Sequence, residues 1–103
     1  MVKVVWTDSA IYDLNDIGEY ISKDSVKYAE LTVERLFKAV DILEDFPDAG
    51  KMVIELNDKS IRELIRGSYR IVYRNKSIDR IDILTVHNSA RMLGNTYDFG
   101  NID

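Results

Sequence analysis

Four arginines, Arg62, Arg66, Arg70 and Arg74, fall within one short stretch. A guanidinium is the side chain best shaped to grip an anion, because its planar fork meets two oxygens at once. Held against a phosphate, such a group stabilises charge that develops in a transition state; on a surface it binds an acidic partner. His87 is the single histidine of the chain and the one side chain whose ordinary pKa lies near neutrality. It could exchange a proton in an attack by a 2′-hydroxyl, against the plainer reading of a structural residue at a strand end. Arg91 could hold a phosphate or pair with an acidic residue of a partner. Tyr97 and Glu63 are weaker candidates for proton transfer. One histidine and scattered carboxylates lack metal-ligand spacing, and with no cysteine there is no disulfide, zinc knuckle or thiol nucleophile. Neither a metal nor a cofactor is expected.

These residues need a scaffold, and the period of the apolar residues supplies one. Residues 2–5 are a short apolar run, read as a buried strand. Thr7 or Asp8 then caps a helix to about Ser22, in which Ala10, Leu14, Ile17 and Ile21 form one stripe and Asp13, Asp16 and Glu19 lie on the other side. Ser25 caps a second helix, with Ala29, Val33, Leu36, Val40 and Leu43 buried, running to Phe46 before Pro47. The two form a hairpin with a shared apolar seam.

After the 47–50 turn the period drops to two. Residues 52–56, 61–66, 69–74 and 78–86 read as four strands of an antiparallel meander, with Gly67-Ser68 as a two-residue hairpin turn. The expected fold is α+β: an N-terminal strand, then a helix hairpin packed on one face of an antiparallel sheet. Alternation places Tyr69, Ile71 and Tyr73 toward the helices and Arg70, Val72 and Arg74 away from them. With Arg62, Leu64 and Arg66 also placed away, all four arginines would line an open cationic face, and Glu63 would point to the helices. Trp6, Tyr20, Tyr69 and Tyr73 are read as core aromatics.

The chain is 103 residues long with a formal net charge of −4. That length fits one domain over 1–103, with a polar tail from about residue 92 that is expected to be loose. The acidic total weakens a nucleic-acid reading, yet residues 59–76 hold six basic side chains against one acid, Glu63. The remainder is strongly acidic. No stretch approaches the roughly 18 apolar residues of a membrane span, and the start has no signal-peptide pattern. A cytoplasmic protein is expected.

The order and spacing of several short motifs resemble the RelE/ParE superfamily of toxins from type II toxin–antitoxin modules, of the plasmid-stabilisation kind. The motifs are Trp6-Thr7, Ala10-x-x-x-Leu14-x-x-Ile17-x-x-Tyr20-Ile21, Phe46-Pro47 with Gly50, Ile61-Arg62-Glu63-Leu64, Tyr69-Arg70-Ile71-Val72-Tyr73-Arg74, and Ile83-Leu84-x-Val86-His87 with Ala90-Arg91. The resemblance implies a microbarrel-like fold and a growth-inhibiting toxin held inactive by an antitoxin, whose segment wraps across sheet and helices in a hetero-oligomer.

It also implies one of two targets. RelE-like members cut messenger RNA on the ribosome without a metal, whereas ParE-like members are described as poisoning DNA gyrase. Arg70 matches the central-strand arginine that the nucleases use at the scissile phosphate. The lysines that nucleases carry on the preceding strand are replaced here by Arg62 and Leu64, and 87–91 look like a ParE-type ending. The ParE-like reading is therefore favoured. The alternatives are a metal-independent endoribonuclease using Arg70, His87 and Arg91, with Tyr97 behind them, or a degenerate member that only binds antitoxin. In every case Arg62, Arg66, Arg70 and Arg74 are the expected antitoxin- or anion-binding residues.

Overall fold

The computed structural model describes residues 1–88. Strand β1 spans Lys3–Trp6, helix α1 Asp8–Ser22 and helix α2 Val26–Ala39, which runs into a 3₁₀ turn at Val40–Glu44. Then come β2 (Lys51–Met52), a second 3₁₀ turn at Ile54–Leu56, β3 (Ile61–Arg66), β4 (Tyr69–Ser77) and β5 (Arg80–Asn88). None of the described helices is long and apolar enough to cross a membrane. Both expected caps form: the Thr7 hydroxyl accepts from the Ala10 amide and the Ser25 hydroxyl from the Tyr28 amide, satisfying donors that a helix leaves open in its first turn. The Thr7 hydroxyl also donates to the Ile83 carbonyl at 2.6 Å, so one side chain starts α1 and ties it to β5.

The sheet order is β1-β5-β4-β3-β2, with β1 parallel to β5 and the other pairs antiparallel. The sheet is thus mixed rather than a pure meander: the helix hairpin carries the chain from β1 at one edge to β2 at the other, and the meander back through β3 and β4 ends with β5 beside and parallel to β1. The helices cover one face. Ala10, Leu14, Leu36, Val40 and Leu43 pack there against Leu64, Ile71, Tyr73, Ile81, Ile83 and Val86. Gly67, in the first position of the β3–β4 turn, has φ +60, a conformation open to glycine at little cost.

The expected strand over 52–56 is only two residues long. After Met52 the chain leaves the edge and folds over the second face, where Val53 and Leu56 pack on Ile61, Val72 and Leu84. Burying Val53 and Leu56 there outweighs the few ladder bonds an edge strand would add. Asn57, at φ 48 and ψ 41, ends the turn. The face away from the helices is therefore partly covered and not open.

Tyr73 anchors the preceding turn. Its hydroxyl donates to the Pro47 carbonyl and accepts from the Gly50 amide, each at 2.9 Å. A Cβ on Gly50 would come within 2.7 Å of that ring and 2.6 Å of the Glu63 carbonyl oxygen, so only glycine fits.

Candidate functional site

The register of β3 against β4 decides what the arginines can do. Directly opposed residues of an antiparallel pair project to the same side, and the pairs are Arg62 with Tyr73, Glu63 with Val72, Leu64 with Ile71, Ile65 with Arg70 and Arg66 with Tyr69. Leu64 accordingly joins the core under the helices, and Arg62 and Arg66 lie on that side. Glu63 lies with Arg70, Val72 and Arg74 on the other side. The expected facing of β3 is reversed, and the four arginines do not share one surface. Placing Arg70 away from the helices agrees with the sequence reading. Apolar alternation alone misjudged β3, because Ile61 and Ile65 sit on one face and Leu64 on the other, and the core needed Leu64.

Arg70 is not a bare cation. Its Nε donates to Glu63 Oε1 at 2.7 Å, its Nη2 donates to Glu63 Oε2, and its Nη1 reaches Glu55 on the 3₁₀ turn at 3.3 Å. The Glu63 side chain is 2% exposed and that of Arg70 15%. Hydrogen bonding to Glu63, opposed by burial, raises the guanidinium pKa above its ordinary value, so Arg70 remains charged. The Glu55 carboxyl is held below the usual carboxylate range, first by its own backbone amide and then by Arg70 and His87. One guanidinium thus faces two carboxylates.

His87 stands directly opposite Arg70 across the β4–β5 ladder and is 3% exposed. The structure brings these two candidates together, along with Glu63 and Glu55. Arg62 donates from Nη1 to the Gly50 carbonyl at 2.8 Å and lies 3.5 Å from Asp48, which ties it to the turn after α2. Arg66 donates to the Ile65 carbonyl. Among the described residues, neither Arg66 nor Arg74 makes an ion pair within 4 Å, although the Arg74 charge helps hold the Asp58 carboxyl below its ordinary range, after the hydrogen bonds from Ser60. Arg91 and Tyr97 lie outside the described residues. Among the described residues, no cluster of His, Asp or Glu could hold a metal.

Two further residues depart from the sequence reading. Asp13, expected on the solvated side of α1, accepts from the Thr85 hydroxyl and from the Val86 amide at 3.0 Å. The cause is a bulge: Val72 pairs with Thr85 but Tyr73 with Ile83, and such an irregularity re-aims a side chain. Tyr20, expected in the core, is 72% exposed. Its neighbours Ile17 and Ile21 carry the stripe without it. Tyr69 and Trp6 do pack against the core.

The ParE toxin family of type II toxin–antitoxin systems (parDE) matches residues 4–93. The chain belongs to that family. Among relatives of this ParE-family chain, Y4kP of Sinorhizobium fredii is 39% identical over 87 residues, covering 82% of this chain and 84% of that protein. Toxin RelE2 of Caulobacter vibrioides is 28% identical over 92 residues, 89% of this chain and 100% of the relative. Two solved structures share the fold at 24% identity. One is a chromosomal ParDE toxin–antitoxin system from P. aeruginosa (TM-score 0.72, 85% of this chain, 96% of that one). The other is the RelBE2 toxin–antitoxin complex of Mycobacterium tuberculosis (TM-score 0.52, 84% and 96%). The superfamily resemblance read from the motifs is thereby shown, as is the arrangement of two helices on one sheet.

Proposed function

We propose that this ParE-family chain is a toxin that acts by binding DNA gyrase, and that a cognate antitoxin holds it inactive. The observation that carries the choice of target is the pairing of Arg70 with Glu63. A nuclease of this superfamily needs a guanidinium free to meet a scissile phosphate. Here the Nε and Nη2 edge is already taken by a buried carboxylate, and Nη1 points at Glu55. A phosphate would have to displace Glu55 and sit beside Glu63, like charge against like. A binding toxin has no such requirement. The ParDE and RelBE systems among the structural relatives support a cognate antitoxin.

The second reading is ribosome-dependent cleavage of messenger RNA. It draws support from Arg70 and His87 being neighbours on one face and from the RelE2 relative.

Purified protein added in parallel to a gyrase supercoiling reaction and to a translating extract separates the two. The proposal expects gyrase inhibition with trapped DNA breaks and intact message. Codon-spaced cleavage of ribosome-bound message, with gyrase unaffected, would establish the second reading instead.

A further inference from the structure

The sheet face turned away from the helices carries a charged strip at the opposite end from Arg70 and His87. Val4, Trp6, Ile81 and Ile83 pack on the helix side, so alternation along β1 and β5 turns Lys3, Arg80 and Asp82 to the other. Lys3 stands directly abreast of Arg80 in the parallel register, and Arg74 opposes Asp82 in the antiparallel one. Lys76 follows at the bulge of the same hairpin and is exposed. The tip beyond it is bare, with Ile78 96% exposed.

Folding does not reward the pairing of Lys3 with Arg80. Residues abreast on neighbouring strands are about 4.8 Å apart, a distance at which like charges repel. Arg80 has a counter-ion in the buried Asp82, at 2.8 Å. Among the described residues, neither Lys3 nor Lys76 makes an ion pair within 4 Å. Lys3 together with residues 74–80 holds four cations, Lys3, Arg74, Lys76 and Arg80, against the single carboxylate Asp79. Even with Asp82 counted against them the strip is positive, in a chain whose net charge is −4.

We infer that this strip binds the phosphate backbone of duplex DNA, without regard to its sequence. What the strip offers is charge alone. Its apolar neighbours are the half-buried Val5 and the single Ile78, too little to anchor a protein partner, whose affinity rests on a few buried side chains at the centre of the contact. Recognition by charge suits the densest row of anions. Duplex DNA carries one negative charge per about 1.7 Å of its axis, roughly twice the density of an extended peptide acidic at every residue, at about 3.3 Å each. Exposed lysines and arginines gain from that density by releasing condensed counterions. The four cations come from the three adjacent strands β1, β5 and β4, so they spread over about 10 Å and reach several phosphates at once. A single strand presents one row of phosphates and offers such a surface fewer of them.

The test is fluorescence anisotropy of two short DNA duplexes of unrelated sequence, titrated with the full chain over a salt series. Both duplexes should bind equally, with a log–log slope against salt of about −3 to −4, one contact per cation. Lys3→Gln/Lys76→Gln should weaken binding about tenfold at low salt and flatten the slope by about 2. Lys3→Gln alone should melt at or above the wild-type temperature, since it relieves the repulsion with Arg80, while still losing affinity. A lysine with a merely structural role would not split stability from binding in this way. Arg66→Gln, at the far end of the sheet, should leave binding unchanged. No binding at low salt, affinity unmoved by the double variant, a preference for single-stranded RNA, or equal competition by polyglutamate would each overturn the inference.

Discussion

Arg70 lies side-on against Glu63, two hydrogen bonds joining a guanidinium that is 15% exposed to a carboxylate that is 2% exposed. Residues on adjacent strands of one sheet are thereby locked, and the charge of the central arginine is spent inside the molecule. Removing one partner of a buried ion pair leaves the other without compensation. Arg70→Met or Glu63→Leu alone should accordingly cost about 3–5 kcal/mol of stability, whereas the two combined should recover most of the loss. Urea denaturation of the four proteins of this cycle checks it. Additive losses would show that the pair is not a unit.

Asp13 should matter more than its position on an acidic helix suggests. Asp13→Ala takes an acceptor from the Thr85 hydroxyl and the Val86 amide, for a loss of about 1–3 kcal/mol. Asp13→Asn retains an acceptor oxygen and should lose less. Thermal melts of the two variants rank them, and equal stabilities would contradict the assignment.

The Glu55 contact gives a pH dependence with a definite sign. A carboxyl held below its ordinary value of 4.5 binds fewer protons folded than unfolded, so its contribution is complete above that value and is lost as pH falls through the lower, folded one. Below about pH 4.5 the covering segment at 53–57 should loosen before the helices do. Hydrogen exchange measured against pH should show this early opening in the wild type and not in Glu55→Gln.

How much of this was legible in the sequence depended on the kind of signal. Thr7 and Ser25 announced both helix starts, because a side-chain cap is a local matter. Gly67-Ser68 announced the β3–β4 hairpin for the same reason. The facing of β3 was also available there: a two-residue turn forces Arg66 opposite Tyr69, hence Leu64 opposite Ile71 and Glu63 beside Val72. Apolar counting within β3 gave the opposite answer, since Ile61 and Ile65 outnumber Leu64. What could not be read was long-range. The parallel pairing of β1, the fold-over of Val53 and Leu56, and the bulge that turns Thr85 to Asp13 depend on residues distant in the chain.

Charge steering by this protein should rest on Arg66 and Arg74, not on Arg70. Under the proposed function, Arg66→Glu and Arg74→Glu should each slow association with antitoxin several-fold at low ionic strength, with the differences fading as salt screens them. The Arg70→Met/Glu63→Leu variant should associate at the wild-type rate. Stopped-flow association over a salt series tests all three, and a slowed double variant would show that Arg70 does meet the partner.

The most direct measurement of the central claim is growth arrest on induction of the Arg70→Met/Glu63→Leu variant, after its fold has been verified by denaturation. If Arg70 is an internal counter-ion in a gyrase-binding toxin, the variant arrests growth as the wild type does and gyrase-dependent DNA breaks accumulate. A folded variant that no longer arrests growth, beside a wild type that cuts ribosome-bound message, would contradict the account.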